Sequence, residues 1–512
     1  MSAGMTRDSP CSRRPTWGLL SVLLGCSELL PSSPVPATIE RSSWPSEVLV
    51  SDTVTLRVLV NLSGNQILTD LEWEVSTPEV LRIIGGTNTS RVLAQDSIRV
   101  VGLAPGPVSV SVRVPDGSPI VADTPLVQSV QVRMKWREVS AGLTHACGIV
   151  WNGDGYCWGS LNAVTFGAFL GDGSSSGSDR PTRVIGNLDL AKISVGDNHT
   201  CSLTVERLVY CWGDNQFGSL GNNSTLDQLS PTTIVAGPAW RTVSAGGRFT
   251  CGVSDEGTGV CFGRGVEGQL GSDVGLATCS GAQACRRVPG EVLVRGVATK
   301  SFVAISAGNG VMCGLLRAGE VHCWGSNEFG LLGDPVLAQS DTSVQVLTPA
   351  PFEQIGLGAT HACGLSADGS AYCWGTNRFG QLGIGGTAPD LCGVDECSWV
   401  PVAVDSEVRF HRISVGGHST CAITREGEAY CWGSNEFLQL GGPSSDNCNG
   451  RVCSVRPQRL DGYRFAVVEV GTDFACGVTT PGQALCWGRG EDGRRGDGTI
   501  VSALSPARVL DP

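Results

Sequence analysis

Cysteine is the residue type whose number and spacing in this 512-residue chain point most directly to chemistry. Two of the 22 cysteines, Cys11 and Cys26, stand near the start, and the others fall into pairs. Seven pairs are ten positions apart: Cys147 and Cys157, Cys201 and Cys211, Cys251 and Cys261, Cys313 and Cys323, Cys363 and Cys373, Cys421 and Cys431, Cys476 and Cys486. Three pairs are closer: Cys279 and Cys285, Cys392 and Cys397, Cys448 and Cys453. This inventory predicts ten disulfides made in an oxidising compartment. Zinc ligation is the alternative, although zinc sites gather four ligands at spacings such as Cys-x-x-Cys.

Other residue types suited to catalysis are scarce. The chain has six histidines, and only Lys135, Lys192 and Lys300 are lysines. Its formal charge of −12 argues against a nucleic-acid partner, because phosphate binding needs a cationic surface. The sequence has no Gly-x-Ser-x-Gly elbow, His-Glu-x-x-His motif, Walker loop or EF-hand loop. We therefore predict a protein that is not an enzyme, with no catalytic residue, cofactor or metal site.

Residues 1–25 have the character of an export signal. Three arginines, Arg7, Arg13 and Arg14, precede a short apolar run from Trp17 to Gly25, which is too short to span a bilayer as a helix. The segment Leu23-Leu24-Gly25-Cys26 resembles the lipobox of bacterial lipoproteins. That resemblance implies cleavage before Cys26 and lipidation of its thiol, and an ordinary signal peptide is the alternative. Residues 26–37, which are rich in Ser and Pro, are predicted to form a tether. The expected location is the cell envelope or cell surface, with the lipid as the sole membrane contact.

Residues 38–134 alternate apolar and polar side chains in short runs separated by turn residues. This period of two predicts an antiparallel β-sandwich with Trp73 in its core. The segments Trp73-Glu74-Val75-Ser76 and Val101-Gly102-Leu103-Ala104-Pro105-Gly106 resemble the bacterial immunoglobulin-like (group 2) domains. The resemblance implies a spacer or an adhesive module.

Residues 135–512 contain one unit that recurs seven times. The unit opens with a strand ending in small residues, as at 139–142 of the first repeat, and ends with a Pro-x-x-Val strand, as at 181–184 of the same repeat. Between them lie a hairpin and a turn, as at 361–375 and 377–383 of the fifth repeat. Short strands repeating with a period of about 50 residues are typical of a propeller or solenoid. Seven units predict an all-β fold in which a seven-bladed β-propeller follows the N-terminal sandwich. We expect the last strand, from Pro506 to Val509, to join the first blade and close the ring.

The cysteine spacing follows from the hairpin. With Asp368 at the turn centre, Cys363 and Cys373 face each other with Cα atoms about 4.5–5.5 Å apart, within reach of a disulfide. Gly369 would then take the left-handed backbone conformation. The second repeat has Arg207 at this position, which predicts a different turn type there.

Two further positions of the repeat carry large side chains. Six repeats have Cys-Trp-Gly, and we interpret the tryptophan as packing between blades. The histidines His145, His199, His361 and His418 precede the first cysteine of their repeats, and we expect them to share one structural register.

The motifs Ile-Ser-x-Gly, His-x-Cys-x-Leu and Cys-Trp-Gly-x-Asn-x-x-Gly-x-Leu-Gly resemble the repeats of the regulator of chromosome condensation family. The resemblance implies a seven-bladed propeller, and the best-known members of the family promote nucleotide exchange on a nuclear GTPase. Because paired cysteines and an export signal place this chain outside the cytosol, guanine-nucleotide exchange is the least favoured of the functions weighed here.

Unequal repeat length points instead to a binding scaffold. Successive first cysteines are 54, 50, 62, 50, 58 and 55 residues apart, and three of the four longer intervals contain the closer cysteine pairs. The fourth contains a loop over residues 163–179. All four insertions lie between the Cys-Trp-Gly strand and the Pro-x-x-Val strand, so they should project from one face. We predict a non-enzymatic scaffold that presents this face to an extracellular protein or glycan. The alternatives are surface decoration without function, and a hydrolase or lyase with a site on the propeller face.

Overall fold

A computed structural model describes residues 35–62, 71–84, 91–94, 96–115, 120–122, 124–161, 170–235, 237–294 and 302–512. The predicted signal peptide and Cys26 lie outside these residues. The described secondary structure consists of strands and two short 3-10 turns, Ser280–Ala282 and Glu491–Gly493, which confirms the all-β class. No helix in the described ranges is long and apolar enough to cross a membrane.

The N-terminal module, residues 35–133, contains two five-stranded sheets. In spatial order the first sheet consists of Leu81–Ile83, Ser97–Gly102, Thr53–Leu62, Val35–Ser43 and Ile120–Ala122. The second consists of Glu47–Leu49, Leu126–Arg133, Gly106–Arg113, Leu71–Val75 and Arg91–Ala94.

Alternate residues of both sheets form one buried apolar cluster around Trp73, as the period of two predicts. The first strand begins at Val35, three residues inside the predicted tether, because Val35 pairs with Ile120 and Ala37 with Leu62. The assignment to the immunoglobulin-like family stays a prediction.

Residues 136–508 form seven separate antiparallel sheets, one for each sequence repeat. Blades one and two consist of Trp136–Ala141, His145–Val150, Gly155–Gly159 and Ser178–Arg183, then Leu190–Val195, His199–Thr204, Val209–Gly213 and Gln228–Thr233. Blades three and four consist of Trp240–Ala245, Phe249–Ser254, Gly259–Arg264, Ala284–Glu291 and the edge strand Ala277–Thr278, then Phe302–Ala307, Val311–Leu316, Val321–Ser326 and Gln339–Val346.

Blade five consists of Phe352–Leu357, His361–Ser366, Ala371–Thr376, Asp395–Ala403 and the edge strand Asp390–Cys392. Blade six consists of Arg412–Val415, Ser419–Ile423, Ala429–Ser434, Arg451–Leu460 and the edge strand Asp446–Cys448. Blade seven consists of Phe465–Val470, Phe474–Thr479, Ala484–Gly488 and Ala503–Arg508.

A belt of seven glycines, one after the first strand of each blade, closes the ring around an axial channel. A methyl group added to any of them would lie 2.8 Å or less from the carbonyl oxygen of the corresponding glycine in the next blade. The belt returns to its start, because Gly471 of blade seven meets the carbonyl of Gly142 in blade one, and Thr472 donates to that carbonyl at 3.1 Å. Backbone therefore packs on backbone at the axis, which leaves no room for a side chain in the belt.

The expectation that the last strand joins the first blade is wrong. Ala503–Arg508 pairs with Ala484–Gly488 of its own blade, and blade one is complete without it. The reason lies in the repeat itself, since every unit from first strand to Pro-x-x-Val strand forms a whole blade and leaves no strand to exchange.

The hairpin of each repeat has the predicted form. Cys363 faces Cys373, and Gly369 has a φ of 81°. The second repeat departs from expectation, because Arg207 adopts a φ of 64° at the same position and keeps the same turn. A hydrogen bond from the Arg207 N–H to the Thr204 carbonyl at 3.0 Å holds it in this left-handed conformation, which costs a non-glycine residue roughly 1–2 kcal/mol.

Candidate functional site

The connections between the third and fourth strands of the blades share one face of the propeller, named here the loop face. In blades two, four, five and six the connection begins with a tight turn that a buried asparagine organises. In blade five the Asn377 side chain accepts the N–H of Leu382 at 3.1 Å and donates to the Gly386 carbonyl at 3.2 Å. Asn215, Asn327 and Asn435 make the equivalent contacts in their own blades. The asparagine of this turn therefore fixes where the connection leaves the ring in these four blades.

The tryptophan of Cys-Trp-Gly joins this turn to the neighbouring blade. All six are fully buried. The Trp432 indole N–H donates to the Gln381 carbonyl of the preceding blade at 3.0 Å, and Trp158, Trp324, Trp374 and Trp487 make the same kind of bond. The interpretation of these side chains as interblade packing is confirmed.

The histidines are also structural. The Nε2 atoms of His145, His199 and His361 lie 2.7–2.8 Å from a threonine hydroxyl of the next blade. Burial lowers the pKa of His145 to about 4 and the pKa values of His199 and His361 to about 3, so all three are neutral. The placement of His418 in this register is wrong: Ser419 pairs with Gly433 there, and the His418 ring packs at a tilt against Phe379 with ring centroids 4.8 Å apart.

All ten predicted cysteine pairs are bonded in the structure. The seven hairpin pairs have Cα–Cα distances of 4.0–4.1 Å, shorter than the expected range. In blade one the Val150 N–H donates to the Asp154 carbonyl, so the alternation of the ladder makes Cys147 and Cys157 a non-hydrogen-bonded pair, the closer of the two kinds.

The three cystine-bearing insertions are not open loops. Each folds back as a short hairpin that adds an edge strand to blade three, five or six. We name these three segments the rim hairpins. A disulfide closes each of them, with Cα–Cα distances of 5.7–5.9 Å. In blade five an Asp390 carboxylate oxygen also accepts the Trp399 N–H at 3.2 Å, and Asp446 repeats this contact in blade six with Val455. Part of the fourth insertion, in blade one, lies outside the described residues.

The rim hairpins of blades five and six are joined through Arg378 in the turn of blade five. The Asn449 side chain at the tip of one donates to the Arg378 carbonyl at 3.1 Å, while the Arg378 guanidinium lies 3.7 Å from Asp395 in the other. The guanidinium groups of Arg378 and Arg451 also cover the ring of Phe379. Two insertions therefore form one continuous wall on the loop face.

The loop face exposes isolated aliphatic side chains. Val394, at the tip of the blade-five hairpin, is 95% exposed, and Val336 of blade four is 88% exposed. Blades two, three, six and seven add Leu226, Val274, Val452, Ile500 and Val501. Of the aromatic side chains at the turns of this face, Phe217 and Phe379 are buried, and Phe329 and Phe437 are half-buried.

The axial channel gathers charge from several blades. Serines at one register line it, and each of five accepts an N–H of the next blade at 2.9–3.0 Å, as Val195 donates to Ser140. Glu469 takes the place of serine in blade seven. Burial raises its pKa to about 7 although the Ser414 hydroxyl donates to it at 2.9 Å. Burial also raises the pKa of Glu138 in blade one, while Lys192 and Arg412 oppose that shift.

The described residues form several concave regions, and two of them are the axial channel and a cleft between blades five and six. The axial channel encloses 180 Å³, below the roughly 300–1,000 Å³ of typical ligand pockets. A cleft of 550 Å³ lies between blades five and six on the opposite face, lined by Arg409, Arg412 and Arg425 together with Glu353 and Glu426. Sequence reasoning missed both, because the charged residues belong to registers that hold other residue types in the remaining blades. In the described ranges no three His, Cys, Asp or Glu side chains are grouped to hold a metal ion.

Comparison with known proteins identifies the repeats. Two family models, both described as Regulator of chromosome condensation (RCC1) repeat, match this chain. One covers residues 190–219, 302–331, 352–381 and 410–439, and the other covers residues 208–253 and 368–423. The chain thus carries RCC1 repeats.

Curated relatives match only part of the chain. The probable E3 ubiquitin-protein ligase HERC4 of Rattus norvegicus is 28% identical over 241 residues, 45% of this chain and 21% of that protein. The ultraviolet-B receptor UVR8 of Arabidopsis thaliana is 30% identical over 213 residues, 41% of this chain and 46% of the receptor. The matched region thus spans about a fifth of the ligase and less than half of the receptor.

A solved structure shares the fold. Prp20p of Saccharomyces cerevisiae superimposes with a TM-score of 0.59 at 20% identity, over 74% of this chain and 88% of its own. The ring described here therefore has an RCC1-like propeller fold.

Proposed function

We propose that this protein is an exported, lipid-anchored scaffold without enzymatic activity that binds an extracellular protein through the loop face of its propeller. The observation that carries the proposal is the set of exposed aliphatic side chains on the loop face, of which Val394 and Val452 stand on disulfide-closed hairpins. An exposed valine such as Val394 gains free energy when a partner covers it, and a rigid hairpin loses little conformational entropy on binding. Proteins supply apolar surface of this kind, whereas a glycan would favour exposed aromatic rings. Prp20p, the structural neighbour, is described as binding Gsp1p and histones, so protein binding has a precedent on this fold.

The compartment follows from the cysteines. Ten disulfides need an oxidising environment, and Cys26 in its lipobox-like segment supplies the anchor. Peptide mapping by mass spectrometry without reduction, on protein from the native host, is the test. We expect the ten pairs and an acylated Cys26. Free thiols with an uncleaved N-terminus would overturn the compartment and bring the nucleotide-exchange alternative forward.

Partner binding is tested by crosslinking on the surface of native cells with two matched variants. Val394→Asp places a charge on the loop face, whereas Leu347→Asp places one at an exposed position on the opposite face. We expect the first variant to lose a crosslinked protein that the second retains. Equal loss in both, or crosslinks to glycan alone, would contradict the proposal.

A second candidate, an enzyme of the hydrolase or lyase class, is favoured by one observation. Charged side chains from several blades converge on the axial channel, and others line the cleft on the opposite face, as paired acid–base chemistry would require. Glu469, whose pKa of about 7 suits proton transfer, would be its central residue. That candidate predicts a hydrolytic or lyase activity that Glu469→Gln abolishes and Val394→Asp leaves intact.

A further inference from the structure

The propeller has one junction that differs from the other six. Between consecutive blades the chain runs directly from the fourth strand of one to the first strand of the next, but between blades seven and one there is no such link. No strand is exchanged across that junction, as the pairing of Ala503–Arg508 within blade seven shows. We name it the seam.

The seam repeats the contacts of the linked junctions without their covalent connection. The Trp136 N–H of blade one donates to the Gly482 carbonyl of blade seven at 2.8 Å, as Phe352 and Phe410 donate to Gly319 and Gly369 across linked junctions. The Arg494 side chain adds a bond to the Leu143 carbonyl at 2.8 Å. Equal contacts without a chain linkage are weaker overall, because the linkage holds the partners at high effective concentration. The seam would therefore open first unless something else joined its ends.

The N-terminal module contacts both sides of this seam. Its Glu47 carboxylate accepts two bonds from the Arg508 guanidinium at the end of blade seven, at 2.5 and 2.8 Å. Its Asp52 pairs at 2.6 Å with Lys135, which precedes blade one. Parallel pairing of Glu47–Leu49 with Gln131–Arg133 sets Glu47 opposite Gln131, and the Nε atom of Arg133 lies 3.5 Å from the Glu47 carboxylate. The module is thus held to the last blade and to the first.

The chain end completes the bridge. The Asp511 carboxylate accepts the Met134 N–H at 2.8 Å and pairs with Arg133 at 3.0 Å. Met134 itself packs in the apolar cluster of blades seven and one with Phe474 and Val509. The stretch before blade one and the stretch after blade seven therefore meet through these bonds, at the place where the other junctions have a peptide connection.

We propose that the N-terminal module has a second function as the clasp of the propeller, joining blade seven to blade one through Glu47, Asp52 and Asp511. Disabling these contacts lets the seam open while the six linked junctions stay closed. This role does not depend on the proposed partner binding.

Hydrogen exchange of the full chain, followed by mass spectrometry, tests the clasp. The double variant Glu47→Gln/Asp52→Asn removes both charges with little change of shape, and Asp511→Ala removes the third contact from outside the module. We expect exchange at Trp136 and Thr472, which donate across the seam, to accelerate roughly tenfold in each variant. The corresponding amides of Phe352 and Phe410 should be unchanged.

Asp405→Asn is the matched control, because it removes the 2.6 Å ion pair with Arg456 between linked blades five and six. It should leave the exchange of the seam amides unchanged. Protection within the module strand Gly106–Arg113 checks that the double variant keeps its fold, and if it is lost, Asp511→Ala alone decides. Unchanged exchange at Trp136 and Thr472 with the module folded, or equal acceleration in the control, would overturn the proposal.

Discussion

Disulfides close two kinds of hairpin in the propeller: the inner hairpins, formed by the second and third strands of each blade, and the rim hairpins. The bond has a different structural role in each. An inner cystine such as Cys363–Cys373 joins the two central strands of a blade, is fully buried, and recurs in every blade. A rim cystine such as Cys392–Cys397, in the same blade, closes an added edge hairpin whose tip stands in solvent. The first constrains the unit that the ring repeats, and the second constrains a feature that only three blades have. An inner disulfide therefore supports the repeated fold, whereas a rim disulfide supports a hairpin particular to its blade.

The largest effect is expected from the inner cystine. Replacing Cys363 and Cys373 by alanine removes a covalent constraint and leaves space among buried side chains of blade five, so unfolding should become easier by about 3–5 kcal/mol. Hydrogen exchange in Phe352–Leu357 and Ala371–Thr376 measures this loss blade by blade. Protection unchanged from the parent protein would show that the inner cystine does not stabilise the blade more than the rim cystine does.

The next effect is expected from acid, which should lower the stability of the blades that contain His145, His199 and His361. His145, His199 and His361 have folded pKa values of about 4, 3 and 3, below the unfolded value, so the unfolded chain binds protons first as pH falls. The contribution of these histidines to the free energy of unfolding is fully present above about pH 6.5. It declines as the pH falls toward 4, by on the order of 2 kcal/mol for each histidine.

His199→Phe tests this, since Phe249 and Phe474 occupy the same register in other blades. Urea unfolding at pH 7 and pH 4.5 should show less acid destabilisation in the variant than in the parent. An identical pH dependence in the two proteins would rule the histidine out as the cause.

The rim cystine of the same blade should matter less to stability. Replacing Cys392 and Cys397 by alanine should lower the free energy of unfolding by about 1–2 kcal/mol, because the hairpin can open without disturbing the blade. Exchange should rise at the edge strand Asp390–Cys392 and stay unchanged in Phe352–Leu357. Loss of protection throughout the blade would show that rim and inner hairpins are energetically one unit.

The smallest stability effect is expected at the hairpin tip. Val394→Ser should change the free energy of unfolding by less than about 0.5 kcal/mol, because the side chain is exposed and makes few contacts. It should nevertheless weaken capture of the surface partner. A thermal melt and the crosslinking assay together check this. A lowered melting temperature with normal capture would show that Val394 contributes to stability and not to partner binding.

Much of the ring could be predicted from single residues. The ten-residue cysteine spacing and the glycine one residue after its midpoint, as in Gly369, defined the hairpin because both are local properties of one turn. The edge strands were missed because three residues such as Asp390–Cys392 carry too short a pattern to identify as a strand. Ring closure was mispredicted because strand exchange is decided by which edge lies nearest in space.

The channel charges were missed for a related reason. Glu138 and Glu469 are 331 positions apart in the chain, and only closure of the ring brings their blades together. Neither residue belongs to a motif, since serine occupies the position of Glu469 in most other blades. Sites built from one residue of each of several repeats are invisible until the repeats are arranged in space.

The glycine belt has a consequence for how such a protein can vary. Because each glycine abuts the carbonyl of its neighbour, the inner circumference is a closed chain of identical links whose number is fixed at seven. Adding or deleting a whole repeat would change the angle at every link at once, whereas lengthening a connection at the rim changes none of them. Natural diversification, or the grafting of new recognition segments, should therefore occur at the outer parts of the blades, while the glycine belt at the axis stays unchanged.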